Sequence, residues 1–414
     1  MRAPKVLASL LFFLAPALLF AAPALLSAAA AAPTRTPQSV GEVSEVQPPV
    51  APPQPSQTIR AQPSEPGFSF FGFLLPQTIF ANSAVATFGN ENAVAMTEAA
   101  VSGGPSRQTF QVQQSRFGMV YRASPEIRGK VEVDFLDATK ASPTVQALPR
   151  LRILKVEYDI IPGTTVFMGQ DWDLFSPLAP HTYNFVGSQF RSGNSGFMRE
   201  QLGIIHQANP YLEIAGSIGF GLPNATQSDH AAETDKQPAY QLRVTGKLEK
   251  LSLGLGAIYS NRSYESRPIP APPTILTITQ PAMGGVFFLE SISSVLEIRA
   301  ELLYGNNLAN LGALTIGQAT VANPKVNEAG GWLSAKYKFG KNSVFGGYGM
   351  ESVSNKESLT SGTAIRSNQS IHLGYDYQLS PKARVYTEGF HFRTEYAAGV
   401  RSAYAQLAGF QLSI

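Results

Sequence analysis

The 414-residue chain contains no cysteine. That excludes disulfides, thiolate metal sites and a lipid-modified N-terminal cysteine. If exported, the chain must be stabilised by hydrogen bonding and packing alone. Tryptophan is nearly absent, with only Trp172 and Trp332. The five histidines (His181, His206, His230, His372, His391) are scattered without metal-ligand spacing. Asp171-Trp-Asp173 lacks the glycine and the distal glutamate of a calcium loop. Gly254-Leu-Gly256 lies in a strand-like run, not a phosphate loop, and there is no nucleophile elbow. No cofactor, metal or enzymatic role is therefore expected. Beyond residue 32 no run is long and apolar enough for a membrane helix; the longest lies around 282–289. Charge of one sign never clusters, which argues against nucleic-acid binding.

What the chain has is a rhythm. From about Phe70 to Ile414, short runs alternate apolar and polar residues and are broken by Gly, Asn, Pro and Ser. In the run from Glu126 to Phe135, Ile127, Gly129, Val131, Val133 and Phe135 alternate with charged residues. Period two means a strand with one oily and one polar face. A heavily charged polar face, many runs and a secretory leader together predict an all-β fold. It is a transmembrane antiparallel β-barrel, greasy outside and wet inside. A chain of this kind belongs in the outer membrane of a Gram-negative (diderm) bacterium, in contact with lipid and lipopolysaccharide.

Three domains are expected. Residues 1–32 read as a signal peptide: Arg2 and Lys5, an apolar core over Leu10 to Phe20, and A-x-A options at Ala28 to Ala32. Losing Arg2 and Lys5 takes Lys+Arg from 32 to 30 against 29 Asp+Glu, a mature charge of +1. Residues 33–66 are rich in Pro, Gln and Ser and read as a disordered periplasmic tether. Fully stretched at ~3.1 Å per residue, it would reach on the order of 100 Å. Residues 67–414 form the barrel. At roughly 20–22 residues per strand and its share of loop, that length gives about 16 strands.

The connections alternate in length. Short turns are expected at Pro162-Gly163, Asn209-Pro210, Lys250, Gly340 to Asn342 and Ser380 to Lys382. Long stretches are expected at Pro177 to Met198, Pro223 to Pro238, Arg262 to Thr274, Asn306 to Ala329 and Ser352 to Ser370. Short periplasmic turns and long extracellular loops are the asymmetry of outer-membrane barrels. The run Arg150 to Ile160 slips phase at Ile153-Leu154, which predicts a bulge. Phe117, Tyr121, Phe135, Tyr158, Phe175, Tyr259, Tyr304, Tyr337, Phe339, Tyr375, Tyr377 and Phe410 fall near strand ends and are expected in aromatic girdles at the lipid interfaces.

Ser115-Arg-Phe-Gly118, Gly129-Lys-Val-Glu-Val-Asp-Phe135, Arg150-Leu-Arg152 with Val156-Glu-Tyr158, and Gly169-Gln-Asp-Trp172 occur in an order that resembles the DcaP-like family of trimeric outer-membrane porins. The similarity covers roughly residues 115–201. It implies about 16 strands, a third loop folded into the lumen, a homotrimer, and passage of small hydrophilic solutes with a preference for anions such as dicarboxylates. Two departures stand out. The family's N-terminal extension tends towards a coiled coil, which the Pro-rich segment cannot form. The last residue, read by the barrel-assembly machinery, is Ile414 and not an aromatic, although Phe410, Leu412 and Ile414 keep the alternation.

In a pore, lumenal side chains set radius and field. The polar faces carry Arg116, Arg122, Arg128, Lys130, Arg150, Arg152 and Lys155 among Glu126, Glu132, Asp134, Glu157 and Asp159. The matching third loop, Pro177 to Met198, carries His181 and Arg191 and no acid, with Asp171 and Asp173 before it and Arg199 after. These are the expected pore-lining and constriction residues. The competing expectation is that the charges pair among themselves and only solvate the lumen. Two other functions remain open at this stage: a narrow or plugged barrel anchoring through the tether, and a rim hydrolase using Ser228, Asp229 and His230.

Overall fold

The computed structural model describes residues 66–82, 85, 106–135, 149–185, 189–195, 198–219, 238–266, 276–317, 325–356, 359 and 364–414. The leader, the Pro-rich segment up to residue 65, and Ser228-Asp229-His230 lie outside them.

The strand segments are β1 (Gly67–Leu74), β2 (Gln77–Ala81), β3 (Arg107–Gln111), β4 (Arg116–Arg122), β5 (Ile127–Asp134), β6 (Arg150–Ile161), β7 (Thr164–Trp172), β8 (Met198–Asn209), β9 (Leu212–Gly219), β10 (Ala239–Leu248), β11 (Leu251–Ser266), β12 (Leu276–Ile292), β13 (Leu296–Asn306), β14 (Asn327–Phe339), β15 (Asn342–Val353), β16 (Ile365–Ser380), β17 (Ala383–Tyr396) and β18 (Gly399–Ser413). Pro76 has no amide to donate and separates β1 from β2. Both keep one register on β18, as in Leu74↔Leu412 and Gln77↔Gly409. Across from β18, β1 pairs with β4 and β2 with β3. Each of these two couples is therefore one interrupted stave. The 18 segments make a closed antiparallel barrel of 16 strands, the number expected from chain length. Closure pairs the first stave with the last through Phe73, Leu74 and Gln77 to Ala81 on β18, as a lipid-embedded sheet requires.

The polarity of the wall is inverted relative to a soluble protein. In β10, Ala239, Gln241, Arg243 and Thr245 are buried inside, whereas Tyr240, Leu242 and Val244 stand exposed outside. Leu151, Leu154, Val156, Tyr158 and Ile160 form the same exposed stripe on β6. The expected phase slip is present. Val133 faces Leu151 and Glu132 faces Ile153, so Arg152 is the extra residue. The bulge lets Leu151 and Leu154 share the outer face although they are three apart. Tyr121, Tyr158, Tyr259, Tyr304, Tyr337, Phe339 and Tyr375 are exposed outward, as girdle residues should be. Phe175 is a correction. It is fully buried within the barrel because its amide is captured there by Gln241.

Turns of two to four residues gather at one end and the longer connections at the other, where only 397–398 is short. Gly67 and Ile414 both lie at the short-turn end. Some strands outrun the sequence pattern. β11 continues to Ser266 and β16 begins at Ile365, in stretches expected to be loop. The early part of β12 is hidden by Pro281, Gly284 and Gly285, which break the alternation without breaking the ladder.

Candidate functional site

The inner faces of β4 to β7 carry an interlocked charge cluster. Arg116 lies 3.4 Å from Glu132. Arg152 donates to Glu132 (2.8 Å) and Asp134 (2.9 Å), and Arg150 donates to Asp134 (2.6 Å). Arg128 bridges Glu157 (2.5 Å) and Asp159 (2.7 Å) nearer the short turns, where Arg122 stands opposite it. Lys155 reaches Glu157 (2.6 Å) and Asp171 (2.7 Å). Lys130 is the most loosely held, 3.8 Å from Glu132. The strand register explains the interlock. Cation faces acid across neighbouring strands in Arg116↔Asp134↔Arg150 and Arg128↔Glu157, whereas Lys130 faces Lys155.

The described stretches 173–185 and 189–195 fold inward, as the family resemblance implies, and a series of wall side chains grips them. Arg199 is fully buried and clasps Asp173 (2.8 Å). Gln241 donates to Asp173 and accepts the Phe175 amide, both at 2.9 Å. Glu301 on β13 accepts from Ser176 Oγ (2.5 Å) and the Leu178 amide (2.9 Å). Ser334 Oγ accepts the His181 amide, and Glu388 on β17 accepts Thr182 Oγ1 (2.8 Å) and the Tyr183 amide (2.7 Å). The Tyr183 ring stacks on Tyr386 at 3.8 Å and meets Phe345 edge-on. Further on, Asn368 donates to Ser192 Oγ (2.9 Å). Gly193 has φ +87°, and a Cβ there would fall 2.3 Å from the Gly331 nitrogen on the wall. Gln189 (φ 59°) and Arg191 (φ 66°) also sit in the left-handed region, so this turn is strained.

A second segment also folds inward, and sequence reasoning missed it. After β13, a single 3-10 turn (Leu308–Leu311) brings Leu308, Leu311 and Leu314 onto Phe175 and the inward-facing Ala239, Ile258, Ala282, Val286 and Leu303. Two glutamates hold it as Glu301 and Glu388 hold the first segment. Glu328 accepts the Leu308 and Ala309 amides, and Glu351 accepts those of Thr315 and Ile316, each at 2.6 Å. Arg199 ties the two segments together by donating to the Leu311 carbonyl (2.7 Å). The apolar run Leu308 to Ile316 in an otherwise polar loop was the available signal.

Pairing does not make the wall electrically neutral to a solute. Arg150 and Lys130 keep 29% and 21% of their side chains accessible, against 1% for their partners Asp134 and Glu132. Lys336 and Arg384 outreach Asp376 in the same way, and Lys338 outreaches Glu297. Other pairs reverse the order: Asp159 is more open than Arg128, Glu157 than Lys155 and Glu290 than Arg299. His181 is buried in the loop beside Arg299 and Lys336. Burial and these cations hold its imidazole well below the ordinary range, outweighing Glu297 at 3.6 Å. Among the described residues, no three His, Asp or Glu side chains gather in a metal-holding group.

No family model and no curated relative matches the chain. Solved structures do. The outer membrane channel DcaP of Acinetobacter baumannii is 13% identical, with a TM-score of 0.64 over 84% of this chain and 97% of that one. An anion-selective porin from Comamonas acidovorans is 12% identical, with a TM-score of 0.56 over 84% and 100%. Salmonella typhi OmpF in complex with daunomycin is 9% identical, with a TM-score of 0.58 over 84% and 97%. The chain is similar to these in fold: a closed outer-membrane porin barrel, of which DcaP is one.

Proposed function

We propose that this protein is an outer-membrane channel through which small hydrophilic solutes diffuse passively, with a mild preference for anions such as dicarboxylates. The carrying observation is the unequal exposure within the wall's ion pairs. Arg150, Lys130, Lys336, Lys338 and Arg384 present charge to the lumen while their acid partners are recessed. Four other acids of the wall add to this: Glu301, Glu328, Glu351 and Glu388 are spent on backbone amides of the infolded segments, so their charge is covered. In a narrow channel of low dielectric, accessible charge of one sign concentrates the opposite ion. The near-neutral mature chain keeps the preference mild. The fold shared with an anion-selective porin supports the same reading. A homotrimer belongs to it as well, and light scattering of the solubilised protein tests that.

The test is the zero-current potential of the refolded protein in a planar bilayer under a salt gradient. The expected sign is that of chloride preference, moved towards cations by Lys130→Glu and Arg150→Glu. Cation preference in the unmodified protein would sink the proposal. A second reading, a narrow or plugged barrel serving as an anchor, draws on the burial of both infolded segments. A folded barrel that passes no current would favour it.

A further inference from the structure

The constriction loop and the segment after β13 hold each other as well as the wall. At the neck of the loop, Arg199 clasps Asp173 as a fork, Nε to Oδ1 (2.8 Å) and Nη2 to Oδ2 (2.9 Å). The same Nη2 donates to the Leu311 carbonyl of the second segment (2.7 Å), so one buried nitrogen serves both segments. Along the middle, Phe175 of the loop packs with Leu308, Leu311 and Leu314. At the tip, a Cβ on Gly330 of β14 would fall 2.8 Å from Leu314 Cδ2 and 3.2 Å from Gly193 Cα, so both segments occupy the space over one wall glycine. Glu351 closes this end. It accepts the Thr315 and Ile316 amides of the second segment, and the Gly193 amide of the loop also donates to it. Neither segment can keep its shape alone. A lone 3-10 turn is too short to persist by itself. The loop tip holds Gln189 and Arg191 in the left-handed region, a strain that needs outside support. If the second segment left by itself, Arg199 would keep a buried N–H without its acceptor, and Phe175 would lose its apolar cover.

We propose that the two infolded segments dock and undock as one unit, with Arg199 and Glu351 as the positioning residues that join them. The segment after β13 then sets the state of the constriction loop, although Leu311 lies 112 residues beyond Arg199 in the chain. This coupling goes beyond the channel reading and is separate from it, because docking can be read without any current.

The experiment labels single cysteines with a charged, membrane-impermeant maleimide in the refolded protein, which has no cysteine of its own. Ser195→Cys reports on the loop and Ala313→Cys on the second segment; both positions are buried, and both changes are nearly isosteric. Glu388 holds the loop and Glu328 the second segment. With the segments coupled, Glu388→Ala and Glu328→Ala each speed labelling at both reporters by a common factor, about tenfold or more for two lost charge-assisted bonds. Arg199→Lys keeps a cation on Asp173 and gives up the bond to Leu311, so the effect on the opposite segment should shrink while the effect on the near one remains. Labelling accelerated only in the segment whose own carboxylate was removed would overturn the coupling, as would no acceleration at either reporter. Should an alanine variant fail to refold, Glu388→Gln and Glu328→Gln keep one acceptor oxygen and should give the same pattern at smaller amplitude. In a planar bilayer, Glu328→Ala should raise open-channel noise as Glu388→Ala does, and quiet parent-like openings would count against the coupling. A parent barrel that passes no current would remove the channel reading and leave the labelling test intact.

Discussion

Replacing Glu388 with alanine should unfasten the tip of the constriction loop. Its carboxylate is fully covered and accepts Thr182 Oγ1 at 2.8 Å and the Tyr183 amide at 2.7 Å, with His372 Nδ1 at 2.6 Å. Hydrogen bonds to a charged acceptor contribute about 1.5 kcal/mol or more each, and the two that reach the loop, from Thr182 and Tyr183, come to about 3 kcal/mol, the His372 bond lying within the wall. Water entering from the lumen would re-solvate the abandoned donors and return part of that, leaving about 2 kcal/mol against the docked loop. The Tyr183–Tyr386 stack opposes release by only about 1 kcal/mol. A change of about 2 kcal/mol is roughly thirtyfold in the ratio of docked to undocked loop. Single-channel recording reads this directly as open-channel noise and a broader spread of conductance. The barrel itself should stay folded, as heat-modifiable gel mobility would report. Glu388→Gln, which keeps one acceptor oxygen, should fall between. Parent-like noise and conductance in Glu388→Ala would refute the idea that wall carboxylates position this loop.

Gly193→Ala should disturb the same loop by another route. The new methyl meets wall backbone 2.3 Å away on a φ of +87°, so noisier openings and slower refolding are expected, and quiet parent-like channels would contradict it. Val156→Arg puts a charge on the lipid face of β6 and should cost about 2–4 kcal/mol near the midplane, measured by denaturant unfolding in lipid vesicles. An unchanged midpoint there would mean that this face does not meet lipid. His181 should stay neutral in the folded protein as pH falls. The unfolded chain takes up a proton below about pH 6.5 and the folded one does not, so stability falls with pH. His181→Gln should flatten that slope between about pH 7.5 and pH 5.5 without moving ion selectivity. An unaltered slope would count against the buried neutral imidazole.

Period-two alternation made the barrel readable because lumen and lipid impose opposite demands on successive residues. The bulge at Arg152 and the turns at Pro162-Gly163 and Asn209-Pro210 were readable for the same reason: a phase slip or a turn residue leaves a mark within a few positions. The stave β1–β2 was not, because Phe70-Phe71, Gly72 and Leu74-Leu75-Pro76 interrupt the alternation while the ladder to β18 holds it in register. Of the expected site residues, Arg116, Arg128, Arg150, Arg152, Lys155, Asp171, Asp173 and Arg199 lie together inside the barrel with their ion partners. The grip of Glu301 and Glu388 on the loop was invisible. Each acts on backbone amides more than a hundred residues away, and nothing in the local sequence distinguishes such a glutamate from a solvated one.

The absence of native cysteine permits a direct test of the inverted wall. Single cysteines at Lys130, Arg150, Leu151, Leu154 and Val156 in the protein reconstituted in lipid would be exposed to a charged, membrane-impermeant maleimide. Positions 130 and 150 should react, because their side chains reach the aqueous lumen, and 151, 154 and 156 should stay unmodified beneath lipid. Labelling of 151, 154 and 156 with protection of 130 and 150 would contradict a wet interior and a lipid-facing exterior, and with them the channel.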